Sequence, residues 1–432
     1  MSQVLPKQFS LQTLPVSAKL RQYQARVSSM NQTYTNSSTS GQTIQLVLPS
    51  SPGTWIDARS LQLSMRVTNT STTSAGGTNY TAARLVGSAN TFISQIRVFA
   101  GQSSGQLLED SGIYYAELFS ALADLSLDPN QWLYDMSVTQ GADTSTVRNG
   151  TFFAANGTAP YQKTFQIPLI SFLSTLTDSK AIPLHAGYTL FITLNSANNC
   201  FIPGGATTDL VSASFDQIRI EYSALELPPE LDASIFASGH GQVVIPAVRW
   251  QSYSATLAAS SSSFSVLIGA ALASMKSMLW RYRYTGDVNV CGASSLYFPN
   301  LGFTDQYLTL GGVIVPQTKL DSDSLCWTSA RRARHLLNSP PSGLVNYTTY
   351  TTSAKQTATA NTVSYAAHVC GLDFDAVSTN AEQIVSGVST NGQLLQLQID
   401  TSSALANQAQ VLIFTEANAY YSFDGRNMSV SY

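Results

Sequence analysis

The chain has 432 residues, enough for roughly two or three domains, and 44% of them are hydrophobic, which excludes a wholly disordered protein. Only 11% are charged and the net charge is −3, so neither bulk attraction to nucleic acid nor sequence-specific nucleic-acid binding is expected. No apolar run reaches the ~20 residues of a membrane-spanning helix. Ser, Thr, Asn and Gln replace charge on the surface, which suits either a molecule covered on many sides by its own copies or a carbohydrate-binding adhesin.

The opening stretch MSQVLPKQFSLQTLPVSAKLRQ lacks the continuous apolar core of a secretory signal, so synthesis in the cell interior is expected. In 16–30, Val16, Leu20, Tyr23, Val27 and Met30 recur at helical spacing behind Pro15, which predicts an amphipathic helix within an N-terminal arm, 1–40. Residues 1–56 contain Lys7, Lys19, Arg21 and Arg26 and no acid, a local charge of +4.

From Ile44 onward the apolar period is two. Ile44, Leu46 and Leu48, then Leu61, Leu63, Met65 and Val67, then 91–101 predict half-buried strands. A helix is predicted over 111–125, with Ser111 as its N-cap. Strands resume at 163–169, 186–195 and 215–227, and Pro228-Pro229-Glu230 then breaks the pattern. The second half repeats it at 242–250, 264–270, 276–286, 307–316, 394–400 and 409–423. The division is therefore a first β domain at 41–225, a linker at 226–241 and a second β domain at 242–432. Many short strands with long polar connections predict sandwiches or jelly rolls in an all-β protein.

Three stretches carry a resemblance to a known family. FQIPLISFLSTLTDSKAIPLHAGYTLFITLN (165–195), NTFISQIRVFAGQSSGQLLEDSGIYYAELFSAL (90–122) and LYFPNLGFTDQYLTLGGVIVPQTKL (296–320) resemble segments of the double jelly-roll major capsid proteins of tailless icosahedral phages, adenoviruses, virophages and large eukaryotic DNA viruses. The resemblance implies two tandem eight-stranded jelly rolls behind a short helical arm, and a structural tile rather than an enzyme. It implies homotrimers that form pseudo-hexameric capsomers of an icosahedral shell in the virion, with penton and minor capsid proteins as further partners and no cofactor. The arm residues Lys7, Lys19, Leu20, Arg21, Tyr23, Arg26 and Val27 would then face the particle interior and meet a membrane, the genome or a neighbouring capsomer base.

Motifs for chemistry are sparse. The four histidines, His185, His240, His335 and His368, form no zinc motif, and there is no GxSxG elbow or phosphate loop. His368 and Cys370, two apart, are read as a strand pair near the core, with a weak metal pair as the alternative. Glu109 with Asp110, Asp321 with Asp323, and Asp373 with Asp375 are the closest carboxylate pairs, read as turns or solvated edges rather than glycosidase acids. Arg331, Arg332 and Arg334, beside His335, form the densest basic cluster, either an inter-subunit patch or a solvated helix face. Cys200, Cys291, Cys326 and Cys370 are too few and too far apart for a disulfide scaffold. Trp55, Trp132, Trp250, Trp280 and Trp327 are scattered, as core residues are.

Overall fold

Alternating apolar residues fix which side of each strand turns inward, and the two faces so produced close on each other twice along the chain. The computed structural model describes residues 21–73, 79–101, 105–126, 135–142, 149–171, 173, 181–337, 344–375, 387–425 and 427–431. The first half contains β1 (Arg21–Ser28), β2 (Thr33–Asn36), β3 (Thr43–Leu48), β4 (Thr54–Asp57), β5 (Gln62–Asn69), β6 (Ala83–Val86), β7 (Ile93–Ala100) and β8 (Leu107–Asp110). Helix α1 (Tyr115–Ser126) follows, then β9 (Asn149–Phe153), β10 (Gln162–Pro168), β11 (Ala181–Pro183), β12 (Tyr188–Leu194), β13 (Phe201–Pro203) and β14 (Ala213–Glu226). Helix α2 (Pro229–Ser238) leads into the second half.

There lie β15 (Val243–Leu257), β16 (Ser263–Ile268), β17 (Met275–Tyr284), β18 (Tyr297–Phe298), β19 (Phe303–Leu310) and β20 (Val313–Leu320). Helices α3 (Asp323–Ala333) and α4 (Tyr347–Thr351) precede β21 (Ala366–Ala367), β22 (Cys370–Asp373), β23 (Leu395–Thr401), β24 (Ala409–Phe423) and β25 (Met428–Ser431).

One strand order occurs in both halves. In the second, β15-β24-β17-β22 faces β16-β23-β19-β20. Numbering the eight sandwich strands along the chain, the sheets run first-eighth-third-sixth and second-seventh-fourth-fifth. In the first half, β1 and β2 together pair with β14, followed by β5 and β10, while β3-β12-β7-β8 forms the opposing sheet. This is the same order, so each half is an eight-stranded jelly roll. β4 and β11 extend the end of β14.

Two expectations are corrected, and the expected linker takes a helical form. Residues 21–28 form a strand, paired with β14 from Arg21↔Glu226 to Ser28↔Arg219, not part of a helix over 16–30. Tyr23, Ala25 and Val27 alternate with glutamines and Arg26, so this stretch fits both periods, and pairing with a 14-residue neighbour decides. Residues 21–36 thus begin the first sandwich instead of a detached arm; Lys7, Lys19 and Leu20 lie outside the described residues. The stretch 226–241, expected as a linker, is mostly helix, with Pro229 in its first turn and Glu230 and Asp232 favourably placed against the helix dipole. The run 307–316 is not one strand but parts of two, turned by Gly311 (φ 58°) and Gly312 (φ 85°), the positive-φ pair a tight hairpin needs.

Ile44, Leu46, Leu48, Leu63, Met65 and Val67 are fully buried in the first core, each worth about 1.5–3 kcal/mol of burial. That core also takes in Val243, Ile245 and Ala247 of β15, Ala419, Tyr421 and Phe423 of β24, and Met428 of β25. The second core gathers Trp280, Tyr282, Leu308, Leu397 and Ile413.

Candidate functional site

β17 reads MKSMLWRYRY, and all of it except Lys276 is buried, so both of its faces are covered and two arginines are carried inside. The covering layer comes from the first sandwich. Helix α1, in the connection between β8 and β10, presents Glu117, Ser120 and Asp124 three and four residues apart, hence on one face. Arg281 Nη2 donates to Asp124 Oδ2 at 2.5 Å, with both side chains 0% exposed. Its Nη1 donates to Ser120 Oγ at 3.1 Å and its Nε to the His368 carbonyl at 3.1 Å, while the guanidinium lies 3.9 Å from the Phe298 ring centre. Arg283 donates to Glu117 Oε1 at 2.8 Å and to Gln410 Oε1 at 2.9 Å. Tyr365 donates to the other oxygen of Asp124 at 2.9 Å.

Burial lowers the Arg281 pKa to about 9, which still leaves the guanidinium charged at neutral pH. Leu118 and Leu125 of α1 and Val86 pack against Trp250, Leu279, Leu412 and Phe414 on the outer face of the second sandwich's sheet. Gly112 (φ 70°) sits where an added Cβ would lie 2.0 Å from Ser252 Oγ, so the two halves meet here with no room for a side chain. Ser111 is not the N-cap of α1: its hydroxyl accepts from the Ile96 N–H at 2.9 Å, and the helix begins at Tyr115. A second lock joins α2 to the first sandwich. Trp55 Nε1 donates to Asp232 Oδ1 at 2.9 Å, and His185 Nε2 lies 2.8 Å from Asp232 Oδ2. What the arrangement does chemically is hold two sandwiches in one fixed relation.

The expected site residues are dispersed. Arg26 makes an ion pair with Glu221 at 3.1 Å and is 64% exposed, whereas Val27 packs on the first core and Tyr23 is 39% exposed. The cluster at the end of α3 is divided. Arg334 folds back onto Glu416 at 2.6 Å and over the Trp250 ring, Arg331 donates to the Leu336 carbonyl, and Arg332 is exposed, without an ion pair among the described residues.

The carboxylate pairs serve structure. Glu109 is buried and accepts from Ser171, Asp110 accepts from Gln95 and the Gly112 N–H, and Asp323 accepts from Asn300. Asp373 Oδ1 caps the Asp375 N–H. His335, Asp373 and Asp375 bring ligand atoms within 4.8 Å of one another, but Lys276 Nζ already lies 3.4 Å from Asp375 Oδ2.

His368 and Cys370 are fully buried with Nε2 and Sγ 3.2 Å apart, and burial pushes the His368 pKa down to about 3, so it is neutral. Trp55, Trp250 and Trp280 are buried, Trp327 is half-buried, and Trp132 lies outside the described residues. The seam itself went unnoticed in the sequence. Its signal was there: Arg281 and Arg283 alternate with aromatics in a strand too apolar to have a wet face.

The strand order, the repeated sandwich and the helix-bridged seam define a double jelly-roll protein. The chain is similar to solved structures of that fold from viruses. PBCV-1 VP54, fitted into a reconstruction of the virophage Sputnik, matches 97% of this chain and 98% of its own at 12% identity and a TM-score of 0.57. The Sputnik virophage structure matches 97% of this chain and 89% of its own at 13% identity and a TM-score of 0.60. The mavirus major capsid protein matches 96% and 90% at 9% identity and a TM-score of 0.54. No protein-family model and no curated protein matches by sequence.

Proposed function

We propose that the chain is a viral major capsid protein, a non-enzymatic tile that assembles with its own copies into an icosahedral shell. The observation that supports this most is the pair of sandwiches with one strand order, matched nearly end to end by a mavirus major capsid protein. A carbohydrate-binding adhesin, the alternative, has no such support. Three copies bring six similar sandwiches together, and six suit a hexagonal outline that tiles flat facets.

On this reading the protein is made in the host interior and resides in the virion, where penton and minor capsid proteins complete the shell. The domains divide at α2, and the basic N-terminal residues Lys7 and Lys19, outside the described residues, are proposed to meet a membrane, the genome or an adjacent capsomer base. Light scattering and electron microscopy of the purified protein test it. Trimers with a hexagonal outline are the expected result; a monomer of 46.3 kDa that never assembles overturns it.

A further inference from the structure

We infer that one end of the second sandwich is a lipid-contact surface, an uncharged apolar tip that dips into the face of a bilayer. The inference goes beyond the tile reading and rests on residues that reading does not use. Three segments meet at this end: the connection from β16 to β17, the β19–β20 hairpin, and the residues leading into β23. Leu267 and Thr309 both stand opposite Gln396, and Ile314 stands opposite Thr309, so Leu267 and Ile314 share the outer face of the β16-β23-β19-β20 sheet. Val313 and Leu394 stand at its rim, where β20 and β23 begin. Leu267 is 62%, Val313 66%, Leu394 52% and Ile314 38% exposed, four aliphatic side chains turned outward together.

The chemistry of the tip selects the partner. Segments 264–275, 306–318 and 387–399 contain no Asp, Glu, Lys or Arg. The charges that flank them are paired: Lys276 lies 3.4 Å from Asp375, and Lys319 lies 3.7 Å from Asp305. Backbone groups of the tip bond to one another. Met275 and Val388 exchange N–H···O bonds of 2.9 and 3.0 Å, and the Gly311 N–H donates to the Leu394 carbonyl at 3.0 Å. The Thr390 hydroxyl donates to the Ala270 carbonyl at 2.7 Å and accepts from the Leu272 N–H at 2.9 Å. Such a surface has no charge to strip of water and binds its own peptide groups, which is what entry into hydrocarbon requires. A protein partner would instead be met by a polar, charged rim.

Two further observations fit a plane of lipid. The first sandwich carries a fainter copy of the row, since Val47, Phe99 and Leu107 follow one another across its matching sheet through Thr189. A flat partner touches both rows, as a single pocket does not. The N-terminal segment also enters at this end: Arg21 stands opposite Glu226, where β14 stops, and α2 carries the chain from there to the start of β15. Residues 1–20 hold Lys7 and Lys19 and no acid, a charge suited to anionic headgroups. The exposed acids Glu226 and Glu230 lie at the start of α2 and not on the tip.

Flotation of the full chain with phosphatidylcholine vesicles, and with vesicles containing added phosphatidylglycerol, tests the tip. The wild type should float with both and should stay bound to phosphatidylcholine in high salt, because apolar contact is not screened. Val313→Ser with Leu394→Ser should weaken binding by about tenfold or more. Both positions are exposed, so circular dichroism and melting should match the wild type; a double variant that fails this check is replaced by Leu267→Ser. An environment-sensitive fluorophore on Val313→Cys, in a Cys291→Ser background, should shift to the blue when vesicles are added. The same label on Ala404→Cys, which follows the opposite end of β23, should not shift.

A wild type that stays behind with both kinds of vesicle overturns the inference, as does a double variant that floats as well as the wild type. Binding confined to phosphatidylglycerol and abolished by salt assigns the contact to basic residues and removes the tip from it. Variants that keep lipid binding but no longer assemble in light scattering show that another copy of the chain covers the tip, and the inference is then wrong. Failure on lipid with assembly intact leaves the tile reading standing, so the two are judged separately.

Discussion

Asp124→Ala probes the seam most directly. It leaves the Arg281 guanidinium in a fully buried position with Ser120 Oγ, the His368 carbonyl and the Phe298 ring, and strips Tyr365 of its acceptor. Removing one member of a buried ion pair costs about 3–5 kcal/mol, because the remaining charge is uncompensated in a medium that solvates it poorly. For a sandwich of this size that lowers the melting temperature by about 10 °C. The double variant Asp124→Ala, Arg281→Met should recover most of the loss, since neither charge of this pair then remains and the methionine fills much of the space. Differential scanning calorimetry of the wild type, both single variants and the double variant closes the cycle. A loss below about 1 kcal/mol for Asp124→Ala would refute the reasoning, as would a double variant no more stable than the single ones.

Other outcomes follow from the same geometry. His368 is held neutral, with its pKa lowered from 6.5 to about 3, so the unfolded chain takes up the proton first and stability falls as pH drops below 6.5. Between pH 7 and pH 5 this one group costs about 2 kcal/mol, and urea unfolding of His368→Gln should lack that share of the slope; an unchanged slope refutes it. Burial raises the pKa of the Cys200 and Cys370 thiols, and Cys326 is buried as well. A thiol reagent at pH 8 should therefore modify at most Cys291 in the folded protein, and reaction of three or four thiols without unfolding contradicts the placement. Deleting residues 1–30 removes β1 and should lower the melting temperature; unchanged melting would disprove the strand. Gly312→Val places a β-branched residue at φ 85° and should cost about 1–2 kcal/mol, read by chemical denaturation.

The period-two stretches were legible because each strand has one wet face and one dry face, and β3, β5, β12, β23 and β24 lie close to where alternation puts them. Misreadings came where local pattern was degenerate. Residues 21–28 fit either period, and only a partner nearly two hundred residues away in sequence decides between them. Pro228-Pro229 stops a strand and starts a helix with the same chemistry, so the break was visible and the helix was not. Gly311-Gly312 is a turn signal embedded in a run apolar enough to hide it. The seam joins residues 157 and 166 apart in sequence, a separation that no local pattern encodes. The basic cluster on α3 was legible as a cluster but not in its division, because the partner of Arg334, Glu416, sits on the last long strand.

The ends of β15, β24 and β25 complete the hydrophobic core of the first sandwich. Synthesis runs from the N-terminus, so the first sandwich waits for residues 243–247 and then for 419–428 before its interior is closed. The last long strand to leave the ribosome is therefore a keystone for the domain made first, and folding of the two halves is coupled in time as well as in space. A chain broken off before residue 419 retains an unfinished first core with exposed apolar surface, which marks it for chaperones and proteases. A shortened chain is in this way detected by its own fold, because the domain made first cannot close without the strands made last.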